Sequence, residues 1–220
     1  MRSLGVLLLL YATFTNGAEV KKNKYPASWW KKLPRSEAAS WEILPQDAKS
    51  GEVILSKRTE LGILSNFAAA AVELDGKKYP SLEGFWQMMK YPEGTGDERA
   101  KFPDLAWKFT REQVSQMLGF DAKHAGSLAE QNMKKMNINW VTYQGKKLPY
   151  RVSEKGDHYK LIRRAMIAKL DQNPEVKRLL LATGDLILKP DHDQGTDVPP
   201  AWKYYEIWME LRTSLKSTTN

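Results

Sequence analysis

The sequence predicts an α+β fold: a mainly helical single domain with a small β-sheet. Three observations point there. Several long segments repeat apolar residues at helical spacing, short β-rich runs are separated by turn signals, and helix start and stop residues punctuate the boundaries. From Glu52 the pattern reads strand, turn, strand. Val53-Ile54-Leu55 and Val72-Glu73-Leu74 are β-rich, and Asp75-Gly76 is a hairpin signal leading into Lys78-Tyr79. Pro80 ends that strand, and Ser81 supplies a hydroxyl for a helix N-cap. On the helix that follows, Leu82, Phe85, Trp86 and Met89 fall at i, i+3, i+4 and i+7 and form one buried stripe. Glu83, Gln87 and Lys90 repeat that spacing on an adjacent face.

Further along, Thr110-x-x-Gln113 is a capping box opening a short helix that should stop at Gly119. Another helix is expected over 125–136, and 141–143, a turn at Gln144-Gly145, and 148–152 make a second hairpin. A long helix spans 157–171 with Leu161, Ile162, Ala165 and Leu170 inward. Asn173-Pro174-Glu175 restarts a helix, because Asn caps well and Pro suits the first helical position; this helix ends near Thr183-Gly184. Residues 186–188 form a short strand, and after Pro199-Pro200 a last helix carries Trp202, Tyr205, Trp208, Met209 and Arg212.

The ends read differently. Met1-Arg2 followed by the apolar run 4–10 and small residues at Thr15-Asn16-Gly17 has the form of a signal peptide over 1–17. That run is shorter than the roughly 20 residues a membrane-spanning helix needs. The chain is therefore expected to be exported, periplasmic or secreted after cleavage, without stable membrane insertion. Residues 18–50 form an arm with Lys21, Lys22, Lys24, Pro26, Pro34 and Pro45, and with the aromatics Tyr25, Trp29, Trp30 and Trp41. The arm should dock on its own domain, since free tryptophans would leave a large apolar area in water. The domain itself runs over 51–216, and 217–220 is a tail.

Of 220 residues, 42% are hydrophobic and 10% aromatic, enough to bury a core. The formal charge of +8 favours phosphate-bearing molecules or anionic surfaces, and equally serves solubility. There is no cysteine, which excludes disulfides, thiolate metal sites and cysteine nucleophiles. His124, His158 and His192 are far apart and show no metal-ligand spacing. Phosphate-binding glycine loops and Gly-x-Ser-x-Gly are absent, and the basic residues match no nucleic-acid module.

Glu83 is the leading catalytic candidate. At the second helical position a carboxylate also complements the helix dipole, a structural reason that needs no catalysis. Beside it, however, stand an aromatic stripe, Gln87 and Lys90, and Gly84 is an unusual helix residue that would permit close approach of backbone or ligand. Asp185, Asp191, Asp193 and Asp197 follow helix and strand ends, where they would either pair with Glu83 across a cleft or sit in solvated loops.

The ordered set Gly62-x-Leu-Ser-Asn-Phe67, Asp75-Gly76-Lys77, Tyr79-Pro80-Ser81-x-Glu83 and Gln87-x-x-Lys90 resembles the start of the YbiA-like, or NADAR, domain. Arg163-Arg164-Ala-Met-x-Ala-Lys169, Asn173-Pro-Glu175, Leu179-Leu-Leu-Ala-Thr-Gly184 and Met209-Glu-Leu-Arg212 extend the likeness over about 52–216. The resemblance implies an α+β fold and N-glycosidase chemistry, cleaving ribose C1 from an amino nitrogen in ADP-ribose- or ribose-phosphate-type compounds. It implies Glu83 as the catalytic carboxylate; the substrate-binding candidates are Asn66, Phe67, Gln87, Lys90, Asp193, Asp197 and Trp202, with Asp185 added from its place at a helix end. Lys90 and Arg163 or Arg164 would meet phosphate by charge. The family histidine after the glutamate is Gly84 here, and the Pro-rich stretch 191–202 departs from the family loop. The expected partner is a nucleotide-like or ADP-ribosylated small molecule, with nucleic acid entering only as a modified substrate and no metal or cofactor required. Two alternatives stand beside this reading: a non-catalytic ADP-ribose- or nucleotide-binding module, and an exported interaction protein using the aromatic arm.

Overall fold

The structure, a computed structural model, describes residues 24–195 and 197–217; the signal peptide expected over 1–17 lies outside the described residues. Among the described residues, six α-helices and six short strands make a single α+β domain. The organising element is α1 (Leu82–Met88), whose seven residues are all buried. Ser81 caps it: the hydroxyl accepts from Gly84 N at 3.0 Å and donates to the Met117 carbonyl at 3.1 Å. One apolar stripe was expected on this helix, yet neighbours cover it on every side. It packs against α2 (Arg111–Ser115), α3 (Gly119–Lys135) and α4 (Asp157–Gln172). Gly84 is where α1 meets the 114–117 backbone, since a Cβ there would lie 2.5 Å from the Met117 oxygen.

The strands pair as three separate two-stranded units rather than one small sheet. β1 (Glu52–Ile54) runs parallel to β6 (Ile187–Lys189), bringing the start of the domain beside its end. β2 (Val72–Leu74) and β3 (Lys77–Tyr79) form the expected hairpin, with Asp75 and Gly76 at φ 53° and 76° as a tight turn of the right twist requires. Asp75 then takes both guanidinium nitrogens of Arg164, at 2.8 and 2.7 Å, which fastens the hairpin to α4. β4 (Trp140–Tyr143) and β5 (Lys146–Pro149) form the second hairpin.

The returning strand of the second hairpin lies at 146–149 and not at the expected 148–152, and three helix boundaries also differ from the sequence reading. The Thr110 capping box is present, but α2 ends at Ser115, and Gly119 opens α3 instead of closing α2. Its φ of +46° is the left-handed value that reads in sequence as a stop, used here to turn the chain between two helices. In consequence α3 starts well before residue 125. At the C-terminal end, Trp202 sits in a 3-10 turn (Pro200–Trp202), not on α6 (Tyr204–Ser217), because Lys203 leaves helical geometry with ψ 58°. α5 (Pro174–Ala182) follows its Asn-Pro start as expected.

The arm docks. Trp29 is fully buried in the main core, donating its indole N–H to Glu60 at 2.6 Å, and Trp30 donates to the Glu52 carbonyl at 2.9 Å. Trp41 alone of the arm tryptophans stays half exposed.

Candidate active site

Helix α1, the segment 65–67, α3 and residues of 192–194 and 198–204 line a cleft of about 610 Å³. Local sequence explains why α1 faces it. Ser81 fixes the helix start, the Glu83 amide donates to the Asn66 carbonyl at 2.9 Å, and the Ser-Asn-Phe turn is thereby held against the helix. Lys169 secures the same turn from α4, its fully buried ammonium donating to the Ser65 carbonyl at 2.8 Å.

Glu83 lies in the cleft wall with its carboxylate nearly out of water. Gln87, one turn on, donates its amide to Glu83 Oε1 at 2.7 Å. Burial raises the Glu83 pKa above the ordinary carboxylate value; the Gln87 hydrogen bond and the positive charges of Lys123, Lys90 and Lys57 pull it back only in part. The group therefore holds its proton to higher pH than a solvated glutamate. Tyr204, at the start of α6, lies close enough to feel Glu83 and Asp191. Burial first, and then those negative charges, push its pKa well above the usual phenol value.

Cations line the cleft, most of them already paired. Lys90 is buried, and burial, reinforced by Lys123 and opposed by Glu83, brings it down to about 7. Its ammonium lies 3.3 Å from Glu130, a carboxylate it shares with Arg151. Arg151 also lies over the Trp202 ring at 5.1 Å, and Trp202 stacks on Tyr150. Lys57 bonds to Asp191 at 2.5 Å and sits 4.8 Å over the ring of Phe67. Burial alone would raise Asp191, but its bonds to His192 and Lys57 outweigh that and leave it below the usual value.

The cleft concentrates unmet hydrogen-bonding capacity. Among the described residues, five buried side-chain polar atoms have no partner: Asn66 Oδ1, Gln87 Oε1, Gln194 Oε1, Trp202 Nε1 and His158 Nε2. The first four belong to residues lining this cleft, and His158 packs edge-on to Trp86, which also lines it. Leaving a buried polar atom unpaired costs about 1–3 kcal/mol each, so their clustering makes this cleft the candidate site.

Glu83, Asn66, Phe67, Gln87, Lys90, Asp193 and Trp202 thus come together around one cleft. Asp185 does not. It is exposed and bonds Lys216 at 2.7 Å, so it is no partner for Glu83. Asp197 is exposed and outside the lining, and Arg164 is committed to Asp75; neither it nor Arg163 lines the cleft. Asp193 lies at the exposed edge, where its carboxylate accepts from Gly195 N at 2.9 Å. Lys57, Lys123, Arg151, Glu130, Tyr204, Phe120 and Trp41 were not selected from the sequence. Phe120, Lys123 and Glu130 share α3 and the others come from four further segments; the local hints are Trp41, already noted among the arm aromatics, and Phe120, an aromatic beside Gly119.

Neither a family model nor a curated protein matches the sequence. Among solved structures, the NMR structure of the E. coli protein YbiA is similar, with 20% identity and a TM-score of 0.46, over 85% of this chain and 95% of that one.

Proposed function

We propose that the cleft hydrolyses an N-glycosidic bond between ribose C1 and an amino nitrogen, in a substrate of the ADP-ribose or ribose-phosphate type. The observation that carries this reading is the Glu83 carboxyl: buried, raised in pKa, oriented by Gln87 and facing a cleft of nucleotide size. A proton held to higher pH suits a general acid, as in glycosidases that tune one carboxyl upward by burial. As the C1–N bond breaks, its electron pair leaves with nitrogen, which takes the Glu83 proton. The carboxylate left behind faces the oxocarbenium carbon and accepts a proton from water as the water oxygen bonds C1. Products are the free sugar hemiacetal and the amine. The unpartnered Asn66 carbonyl oxygen suits a ribose hydroxyl donor, and Lys123 is suited to phosphate.

The test is direct. The purified chain is incubated with ADP-ribosylated guanosine, NAD and ribosylaminopyrimidine phosphates, and base release is followed by mass spectrometry. Release that disappears in Glu83→Gln is the expected result. No release from any substrate, or equal release by the variant, would sink the reading. A second reading, a module that binds such ligands without turnover, draws on the unpartnered Asn66, Gln194 and Trp202 atoms of the cleft. Ligand-dependent thermal stabilisation without product would favour it. The proposal includes export, carried by the leader-like sequence 1–17, and N-terminal sequencing of the mature chain reads it.

A further inference from the structure

The mouth of the cleft holds an aromatic corner that the hydrolysis chemistry does not use. Phe120, in the first turn of α3, meets Phe67 edge to face at 5.1 Å and Trp41 of the arm at 6.2 Å with a 59° tilt. Trp41 is 47% exposed and Phe120 61%, although large aromatics elsewhere in the fold are mostly buried. Adjacent exposed aromatics at a cleft are the pattern of a binding surface, since folding alone would hide that area.

Trp41 is not a loosely placed side chain. The next residue, Glu42, is gripped by Arg58 through contacts of 2.6 and 2.8 Å and makes an antiparallel bridge to His192. Ile43 N then donates to the Asp191 carbonyl at 2.8 Å. The arm is therefore pinned to the stretch that forms one wall of the cleft, and the exposed indole is held at its edge.

We propose that Trp41 and Phe120 form a stacking corner for the planar heteroaromatic base of the ligand, outside the position where ribose meets Glu83. The tilt between the rings lets one take the face of a base while the other meets its edge. Cations beside the corner, Lys57 over Phe67 and Lys123 on α3, fit a base carried on a phosphorylated sugar and not an aliphatic chain. Stacking reads ring area in preference to edge pattern, so the corner accepts more than one base and discriminates against a bare sugar phosphate. Its placement relative to ribose rests on the glycosidase reading above; the stacking itself does not.

The experiment is calorimetric titration of the Glu83→Gln chain, which is not expected to consume ligand, with adenosine monophosphate, guanosine monophosphate and ribose phosphate. Both nucleotides should bind more tightly than ribose phosphate. Trp41→Ala and Phe120→Ala should each weaken nucleotide binding roughly ten-fold, leave ribose phosphate unchanged, and Trp41→Phe should restore most of the loss. Because both rings are substantially exposed, the circular dichroism of these variants should match that of the parent. Equal affinity for nucleotide and sugar phosphate, no measurable nucleotide binding, or Trp41→Ala binding like the parent would overturn the proposal. Stacking retained in a chain that releases no base from any substrate would remove the glycosidase reading alone. Glu83-dependent release untouched by Trp41→Ala, with nucleotide affinity also untouched, would remove the stacking corner alone.

Discussion

Gly126 of α3 and Gln87 of α1 approach so closely that a Cβ on the glycine would lie 1.7 Å from Gln87 Oε1 and 2.3 Å from its amide carbon. The missing side chain is what lets the Gln87 amide stand between the two helices and donate to Glu83 at 2.7 Å. A glycine well inside a 17-residue helix costs about 1 kcal/mol in helix propensity. Here that cost admits the group that orients the candidate catalytic carboxyl.

Gly126→Ala should therefore damage the site through Gln87 without touching the carboxyl itself. The alanine pushes the Gln87 amide out of its place toward the cleft; overpacking of about 1–3 kcal/mol is offset in part by about 1 kcal/mol of helix propensity. Base release should fall with it as the Glu83–Gln87 bond is lost. In the double variant Gly126→Ala/Gln87→Ala, stability should return toward that of Gln87→Ala alone while activity stays low. Additive losses of stability in urea unfolding would contradict the steric coupling.

Glu83→Gln should abolish base release, by roughly a hundred-fold or more, and yet stabilise the fold at neutral pH. The sign follows from linkage. Burial raises the native pKa above the ordinary 4.5, so between 4.5 and the native value the folded chain holds a proton that the unfolded chain has lost. Stability is thus fully present below 4.5 and is lost as pH climbs through the native pKa. The variant's thermal advantage should be present at neutral pH and shrink toward zero below 4.5. An advantage independent of pH, or a variant less stable at neutral pH, would contradict a raised carboxyl.

Gly84→Ala sets two effects against each other. Alanine gains about 1 kcal/mol of helix propensity. Against it, the added Cβ would meet the Met117 carbonyl oxygen at 2.5 Å and two more backbone oxygens, of Ser115 and Val114, at 3.1 Å. Backbone cannot rotate away as a side-chain tip can, and the Met117 oxygen is already committed to the Ser81 hydroxyl. The clash should win, with a net loss of about 1–2 kcal/mol, seen as a drop in Tm of several degrees. A higher Tm would show that α2 and α3 can move away from α1.

What could be read from sequence was what is local. Ser81, Glu83 and the Asp75-Gly76 turn each announce their structure within a few residues, and the structure brings Glu83, Gln87 and Lys90 to one wall. The opposite wall was illegible because Trp41, Lys57, Lys123, Arg151 and Tyr204 converge from five separate segments, and no periodicity encodes that meeting. Gly119 misled for a physical reason: the same positive φ that ends a helix also opens one after a sharp turn. Asp185 misled because a carboxylate at a helix end looks the same whether it faces a cleft or pairs with a surface lysine such as Lys216.

Lys169 joins stability, pH and the site in one residue. It is fully buried, donates to the Ser65 carbonyl, and burial lowers its pKa from 10.5 to about 7. Between those values the unfolded chain holds a proton that the native chain has released, so stability rises with pH across the window. Below about 7 the full penalty of a buried charge remains; Lys90, also lowered to about 7, adds to the same slope. Lys169→Met removes one of the two contributions. Relative to the parent, its urea midpoint should be highest below about pH 7, and the difference should decline toward 10.5. A difference constant across that window would refute a neutralised Lys169. The same substitution frees the Ser65 carbonyl, and with it the Ser65-Asn66 turn whose Asn66 carbonyl receives the Glu83 amide. Base release should therefore fall even where the protein is more stable, because the turn that positions the start of α1 has lost its anchor.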